Sequence, residues 1–253
     1  KTRVSLVGHL NYQSGIGEDV RKTYLALESK GIKPEINDFG IKNNDRETKR
    51  KLKIFKGDPQ NCDQEILILC LNPNDCFNYL SSKRNSFFEG KYIIGYIPWE
   101  LEIWPSILND LYKYIDELWI SSAFTYRAFA EFKKTKKIMP LCVDHPEINM
   151  KPLSNKKKSF YRNKYNLPKN NIIYLCSFDL ESYITRKNPW AVINSFQKAF
   201  NPNYPNKPIN ENVNLVIKTF KPISHNRDWE ILKNTIKLDK RIIIIEGNLD
   251  YDE

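Results

Sequence analysis

The sequence predicts an α/β chain: a complete open-sheet domain over residues 1–145, followed by the first part of a second over 146–253. Three observations predict it. Short apolar runs of strand length alternate with segments of helical period almost from the first residue. Several of those runs are continuously apolar, as in parallel strands buried on both faces. The alternation breaks once, near Asp144, and restarts beyond residue 170.

Taken in order, Val4–Val7 is a short apolar strand ending at Gly8. Residues 16–30 place Val20, Tyr24 and Leu27 at helical spacing, and Gly31 is positioned to stop the helix. Residues 33–39 suit a second strand, and the charged stretch 41–57 a loop. Glu65–Leu71, Tyr92–Ile97 and Glu117–Ile120 are buried-strand candidates. Residues 105–115 read as a helix, with Pro105 in its first turn. Ser122 can cap a further helix reaching about Lys134. Ile138–Val143 supplies the next strand. The polar stretch from His145 to Lys158, with Pro146, Pro152 and a lysine run, reads as an interdomain linker. Strands at Ile172–Ser177, Asn214–Lys218 and Ile242–Glu246 then alternate with helices at 188–200 and 227–236, and 201–212 is a surface loop. No internal repeat is visible.

Composition narrows the function. The 253 residues carry 40 Lys+Arg against 30 Asp+Glu, a formal net charge of +10. This asks for an anionic partner, although a chain so rich in Lys, Asn and Ile could owe much of it to compositional bias. No apolar run approaches the ~18 residues of a membrane-spanning helix. With 41% hydrophobic residues the chain is not of the disordered class. The five cysteines form no CxxC pair or zinc-like cluster. Cys70, Cys142 and Cys176 lie in apolar runs and read as buried, and the odd count suggests a reducing compartment, with the cytoplasm as the expected location.

Three segments could carry chemistry. Gly15-Ile16-Gly17, after Ser14 and between a strand and a helix, would let backbone amides meet a phosphate, although a plain tight turn explains two glycines equally well. It matches neither a Walker loop nor a dinucleotide fingerprint. Trp99-Glu100-Leu101-Glu102-Ile103-Trp104 follows a buried strand, where open α/β sheets bind ligands. A carboxylate beside an indole suits a sugar, hydroxyls to the acid and C–H groups to the ring; the alternative is core tryptophans and solvated glutamates. Arg186 and Lys187 precede a helix that Pro189 can start, a fitting place for a diphosphate clamp. His9, after the first strand, could reach the same crevice as Trp99. A basic stretch with Arg127, Lys133, Lys134, Lys136 and Lys137 among Phe124, Phe129 and Phe132 is a candidate contact for anionic lipid, with ordinary packing as the alternative.

In this order the segments resemble retaining glycosyltransferases of the GT-B fold, of the family 4, group 1 type found in bacterial polysaccharide synthesis. The pieces are Ser14–Glu18 with Arg21, Trp99–Glu102, Asp116–Phe124, Met139–Asp144, Phe178–Ser182, Arg186–Pro189 with Phe196 and Phe200, and Leu215–Lys218. The resemblance implies two Rossmann-like domains, acceptor on the first and nucleotide on the second. It implies transfer of a hexose, mannose as a guess, from a GDP- or UDP-linked donor to a hydroxyl of a surface glycan or lipid-linked acceptor, with retention. Donor contacts would come from Gly15, Ile16, Gly17, Arg186, Lys187 and Lys218, and acceptor contacts from His9, Trp99, Glu100 and Glu102. Glu100, Arg186 and Lys187 would carry catalysis, the two cations standing in for a metal, so no cofactor is expected. Such an enzyme could sit on the inner face of the cytoplasmic membrane.

One departure matters. The family's Glu-x-Phe-Gly segment, which binds donor sugar and ribose, does not occur before Glu253. The sequence therefore predicts a fragment that transfers sugar poorly alone. A non-catalytic acceptor-binding module is the competing reading. Nucleic-acid binding is disfavoured, because the basic residues are spread over many segments instead of tracking one face.

Overall fold

The computed structural model describes residues 2–40, 64–142, 153–180, 182–200, 212–220, 226–247 and 249. The expected loops 41–57 and 201–212 lie almost wholly outside these residues, as do His145, His225 and Cys62. The chain divides into two compact units, Lys1–Ile148 and Asn149–Glu253.

The first unit is built on strands β1 (Thr2–Gly8), β2 (Glu35–Asp38), β3 (Gln64–Cys70), β4 (Lys91–Tyr96), β5 (Glu117–Ile120) and β6 (Thr135–Ile138). They form one sheet in the order β2-β1-β3-β4-β5-β6, every pair parallel. Alternate side chains leave each strand on opposite faces, so β3 serves two cores. Leu67 and Leu69 join Val7, Ile93, Leu118, Leu111 and Phe129. Ile68 and Cys70 join Leu6, Ile94 and Tyr96, covered by Val20 and Tyr24 of helix α1 (Gly15–Glu28). Near the strand starts Glu65 gathers Arg3 Nη2 at 2.7 Å, Ser5 Oγ at 2.8 Å and Lys91 Nζ at 2.9 Å. Burial alone would raise this carboxyl; the hydrogen bonds from Lys91, Arg3 and Ser5 outweigh burial and hold it below its ordinary value.

Several elements differ from expectation. Helix α2 (Pro73–Ser81) was not foreseen, although its signals are present: Asn72 Oδ1 accepts from Asp75 N at 2.9 Å, and Pro73 takes the first turn. Residues 105–115 form a 3-10 helix over Ser106–Lys113 instead of an α-helix. Leu108, Leu111 and Tyr114 all meet the core at three-residue spacing, which suits three residues per turn. The helix expected from Ser122 to Lys134 is only one turn, α3 (Ala123–Tyr126), and a 3-10 turn, Arg127–Phe129. Phe129 and Phe132 are drawn into the core, while Lys134 and Lys136 donate to the carbonyls of Ile115 and Phe129. The basic amphipathic helix that was a candidate lipid contact is therefore not formed. The strand expected at Ile138–Val143 lies three residues earlier, as charged Lys136 and Lys137 take an edge position. Of the cysteines read as buried, Cys70 is, but Cys142 is exposed and Cys176 half-buried.

The second unit has strands β7 (Ile172–Phe178), β8 (Val213–Thr219) and β9 (Ile242–Glu246), parallel and in that order. Helix α4 (Asn155–Lys164), capped by Ser154, occupies the end of the stretch read as linker. A single turn, α5 (Ile184–Lys187), precedes α6 (Pro189–Ala199), and α7 spans Arg227–Ile236. Ile193, Phe196, Trp229 and Leu232 pack on Leu215 and Ile217 of the central strand.

Candidate functional site

In the first sheet β1 leads to its neighbour β2 on one side, whereas β3 onward builds outward on the other. The loops after β1 and β3 therefore part company, and a crevice opens at the carboxyl ends of these strands. A pocket of about 390 Å³ occupies it. Its walls come from α1 (Gly15, Ile16, Asp19), the end of β3 (Cys70), the end of β4 and the segment after it (Tyr96, then Ile97–Glu100), Ser121 after β5 and Leu141 after β6.

The helix start shows how the wall is made. The first amides of a helix lack intrahelical acceptors. Ser14 caps α1, its Oγ accepting from Gly17 N at 3.1 Å, and its carbonyl accepts from Glu18 N at 2.9 Å. The amides of Gly15 and Ile16 have no partner among the described residues, and both residues line the pocket. The two glycines differ. A Cβ on Gly17 would lie 2.1 Å from the Tyr12 carbonyl oxygen and 2.8 Å from that of His9, whereas a Cβ on Gly15 would meet nothing within 4 Å. Gly17 thus lets the loop 9–14 fold onto α1; Gly15 leaves the pocket side of the helix start uncovered. Arg21 secures that loop, donating from Nη1 to Leu10 O at 2.6 Å and from Nε to Glu18 at 2.8 Å.

Asp19, which sequence reasoning did not single out, stands on the pocket wall. Burial is the main cause that pushes its carboxyl up to about 6, with Glu18 adding to it and Arg21 opposing. Its position carried a signal: three and four residues beyond Ile16 and Gly15, it shares their helix face. Burial likewise pushes the Cys70 thiol up to about 12. Tyr96 donates its hydroxyl to the Met139 carbonyl at 3.1 Å.

The predicted sugar-binding residues separate. Trp99 and Glu100 line the pocket, Trp99 held by Nε1 donating to Ile103 O at 3.2 Å and by its ring against Trp104 at 5.0 Å. Trp104 is core, stacked on Tyr112. Glu102 is exposed and outside the pocket wall. His9 is buried, its Nε2 2.9 Å from Asp75 Oδ2 and its ring 5.4 Å from that of Phe39, and it does not line the pocket.

In the second unit Arg186 and Lys187 end α5, both exposed. Asn188 follows in the left-handed region (φ 47°) and caps α6 by accepting from Ala191 N, which starts the helix directly after the two cations. Ser182 Oγ accepts from Arg186 Nη2 at 2.7 Å. Lys218 donates to Gly247 O at 2.7 Å and Thr219 O at 3.2 Å, so its ammonium braces the ends of β8 and β9; burial lowers its pKa. Among the described residues no group of three or more His, Cys, Asp or Glu could hold a metal ion.

No protein-family model matches the chain, and no curated protein sequence matches it. Among solved structures it is similar to one from E. coli described as trehalose-6-phosphate bound with UDP-2-fluoro glucose. The TM-score is 0.57 at 9% identity, over 98% of this chain and 74% of that one. An apo structure of OtsA gives 0.46 at 12% identity, over 76% and 49%. A structure of trehalose-6-phosphate synthase studied with bisubstrate glycomimetics gives 0.43 at 10%, over 76% and 50%. The fold has a name. The chain has the GT-B fold. In GT-B terms each unit is Rossmann-like, and the pocket of the first lies where such a sheet binds ligands.

Proposed function

We propose that the protein is a retaining glycosyltransferase that moves a hexose from a nucleotide-diphosphate sugar to a hydroxyl of a glycan acceptor. The observation that carries this reading is the first unit's pocket: two unfilled helix amides, a carboxylate and an indole meet at the switch point of a parallel sheet on a GT-B scaffold. The amides of Gly15 and Ile16 suit a phosphate oxygen of the donor, and Trp99 suits the apolar face of a sugar ring. Glu100, on the same wall, would accept sugar hydroxyls.

Arg186 and Lys187 are the natural counter-charges for a departing diphosphate. Negative charge grows on the leaving oxygen as the anomeric C–O bond breaks, and fixed cations beside a helix N-terminus stabilise it. Removing one such preorganised group typically costs ~10²–10³ in rate. A UDP-sugar is the first donor to test, since the E. coli structure holds UDP-2-fluoro glucose, and GDP-mannose, suggested by the sequence resemblance, is the second.

A thermal-shift series with UDP, GDP, UDP-glucose and GDP-mannose tests the reading. A saturating donor at ~100-fold its Kd stabilises a folded protein by about 2.7 kcal/mol, several degrees in midpoint. The expected result is such a shift with one nucleotide and its loss in Lys187→Ala and Arg186→Ala. An unchanged midpoint with all four would overturn the proposal. Binding without turnover, given acceptor, would leave the non-catalytic module.

A further inference from the structure

We propose that the pocket of the first unit takes its acceptor as a neutral, unphosphorylated sugar, one hydroxyl of which donates to the Asp19 carboxylate. The inference rests on the glycosyltransferase reading and specifies the substrate class of that same pocket.

Charge around the pocket is lopsided. Asp19 and Glu100 both line it, and among the described residues no Lys, Arg or His does. The nearest cations along α1 are already engaged. Arg21 is buried, with Nε on Glu18 and Nη1 on the carbonyls of Leu10 and Tyr12, and Lys22 Nζ lies 3.3 Å from Glu18 Oε1. Glu18 thus draws both cations to itself, leaving the Asp19 carboxylate without a hydrogen-bond partner among the described residues, while the Asp19 carbonyl accepts from Thr23 Oγ1 at 2.8 Å. A half-buried carboxylate in this condition lacks solvation, which is why burial pushes it up to about 6. It needs a donor. A sugar hydroxyl supplies one, and a hydrogen bond to an ionised acceptor is among the stronger kinds. A phosphomonoester would instead bring like charge to a poorly solvated acid with no cation to offset it.

The same helix can still receive one anion. The unfilled amides are at its first turn, and Asp19 stands one turn further in. The arrangement therefore separates an anionic site at the helix start, for the donor diphosphate, from a neutral site against Asp19. Trp99 and Tyr96, on the remaining wall, offer ring surface to C–H groups.

Ligand-observed saturation-transfer NMR on the full chain tests this at millimolar sugar, with and without UDP. The probes are methyl α-D-glucopyranoside and methyl α-D-mannopyranoside against glucose 6-phosphate and mannose 6-phosphate at matched concentration. The expected result is at least fivefold greater transfer to the neutral glycosides, lost in Asp19→Ala. Asp19→Asn, which keeps the side chain's shape, should narrow the discrimination, and Asp19→Lys should reverse it. Thermal melts confirm that each variant is folded. Equal or greater transfer to the phosphates, or glycoside binding unaffected by Asp19→Ala, would overturn the proposal. So would the absence of any sugar signal while UDP still raises the midpoint. Failure of UDP and GDP alike to raise the midpoint counts against the glycosyltransferase reading and is read separately.

Discussion

Gly15 and Gly17 are two residues apart, yet a single methyl group should have opposite consequences at them. At Gly17 it would collide with the backbone oxygen of Tyr12 at 2.1 Å. Backbone cannot step aside as a side chain can, so Gly17→Ala should destabilise by about 3 kcal/mol. At Gly15 the methyl would meet nothing within 4 Å, and alanine favours a helix over glycine by ~1 kcal/mol. Gly15→Ala should therefore be neutral to stabilising in urea unfolding while blunting any nucleotide-induced midpoint shift. Asp19 extends the argument to charge. Its folded pKa of about 6 lies above the ordinary aspartate value, so between about 4 and 6 the folded state binds more protons than the unfolded one. Stability contributed by the neutral acid is complete at low pH and is lost as pH rises through that window. Asp19→Asn should thus raise the midpoint at pH 7.5, by less than ~1 kcal/mol because the carboxylate is part-solvated, and bring no gain below pH 4. A carboxylate kept at a cost to stability is what a binding residue looks like.

Among the elements, those with a clear apolar run or helical period were the legible ones. β3 and β5 announce themselves because continuous apolar runs have few other uses, and α7 and β9 fall on the residues that the pattern indicates. The misjudged segments are governed by local partners that hydrophobic period does not report. The one-turn α3 ends where Phe129 and Phe132 enter the core, and β6 is a lysine-bearing edge strand. At the site, Trp99 and Glu100, singled out for their place after a buried strand, line the pocket. Asp19 was overshadowed by the glycines, and His9 proved to be paired with Asp75. The Glu65 cluster was hidden too, since its members come from β1, β3 and β4. It yields a prediction at this scale. Its folded pKa is depressed, so its stabilisation is present above the unfolded value and lost as pH falls through the folded one. Glu65→Gln leaves Arg3 and Lys91 facing each other across three strands and should cost about 2 kcal/mol at pH 7, with the loss shrinking below pH 4.

For the whole molecule, the two units differ, among the described residues, in how fully their sheets are covered, and their independence should differ with it. Parallel sheets are stable when both faces are buried. In the first unit the alternating residues of β1, β3 and β4 feed two separate cores, one with α1 and one with α2 and the 3-10 segment. In the second unit the described residues form one core cluster, on the side of α6 and α7. Ile172 and Leu175 of β7 remain 58% and 69% exposed. Among the described residues, the members of the first unit's two core clusters and the lining of its pocket all come before residue 148. A chain of residues 1–148 should therefore fold alone, with one cooperative urea transition, α/β circular dichroism and the neutral-sugar signals proposed for the full chain. Residues 149–253 alone, with apolar strand surface open to solvent, should self-associate at micromolar concentration in sedimentation velocity. A monomeric 149–253 beside an unfolded 1–148 would reverse this assignment, and with it the proposal that the first unit alone forms an acceptor pocket.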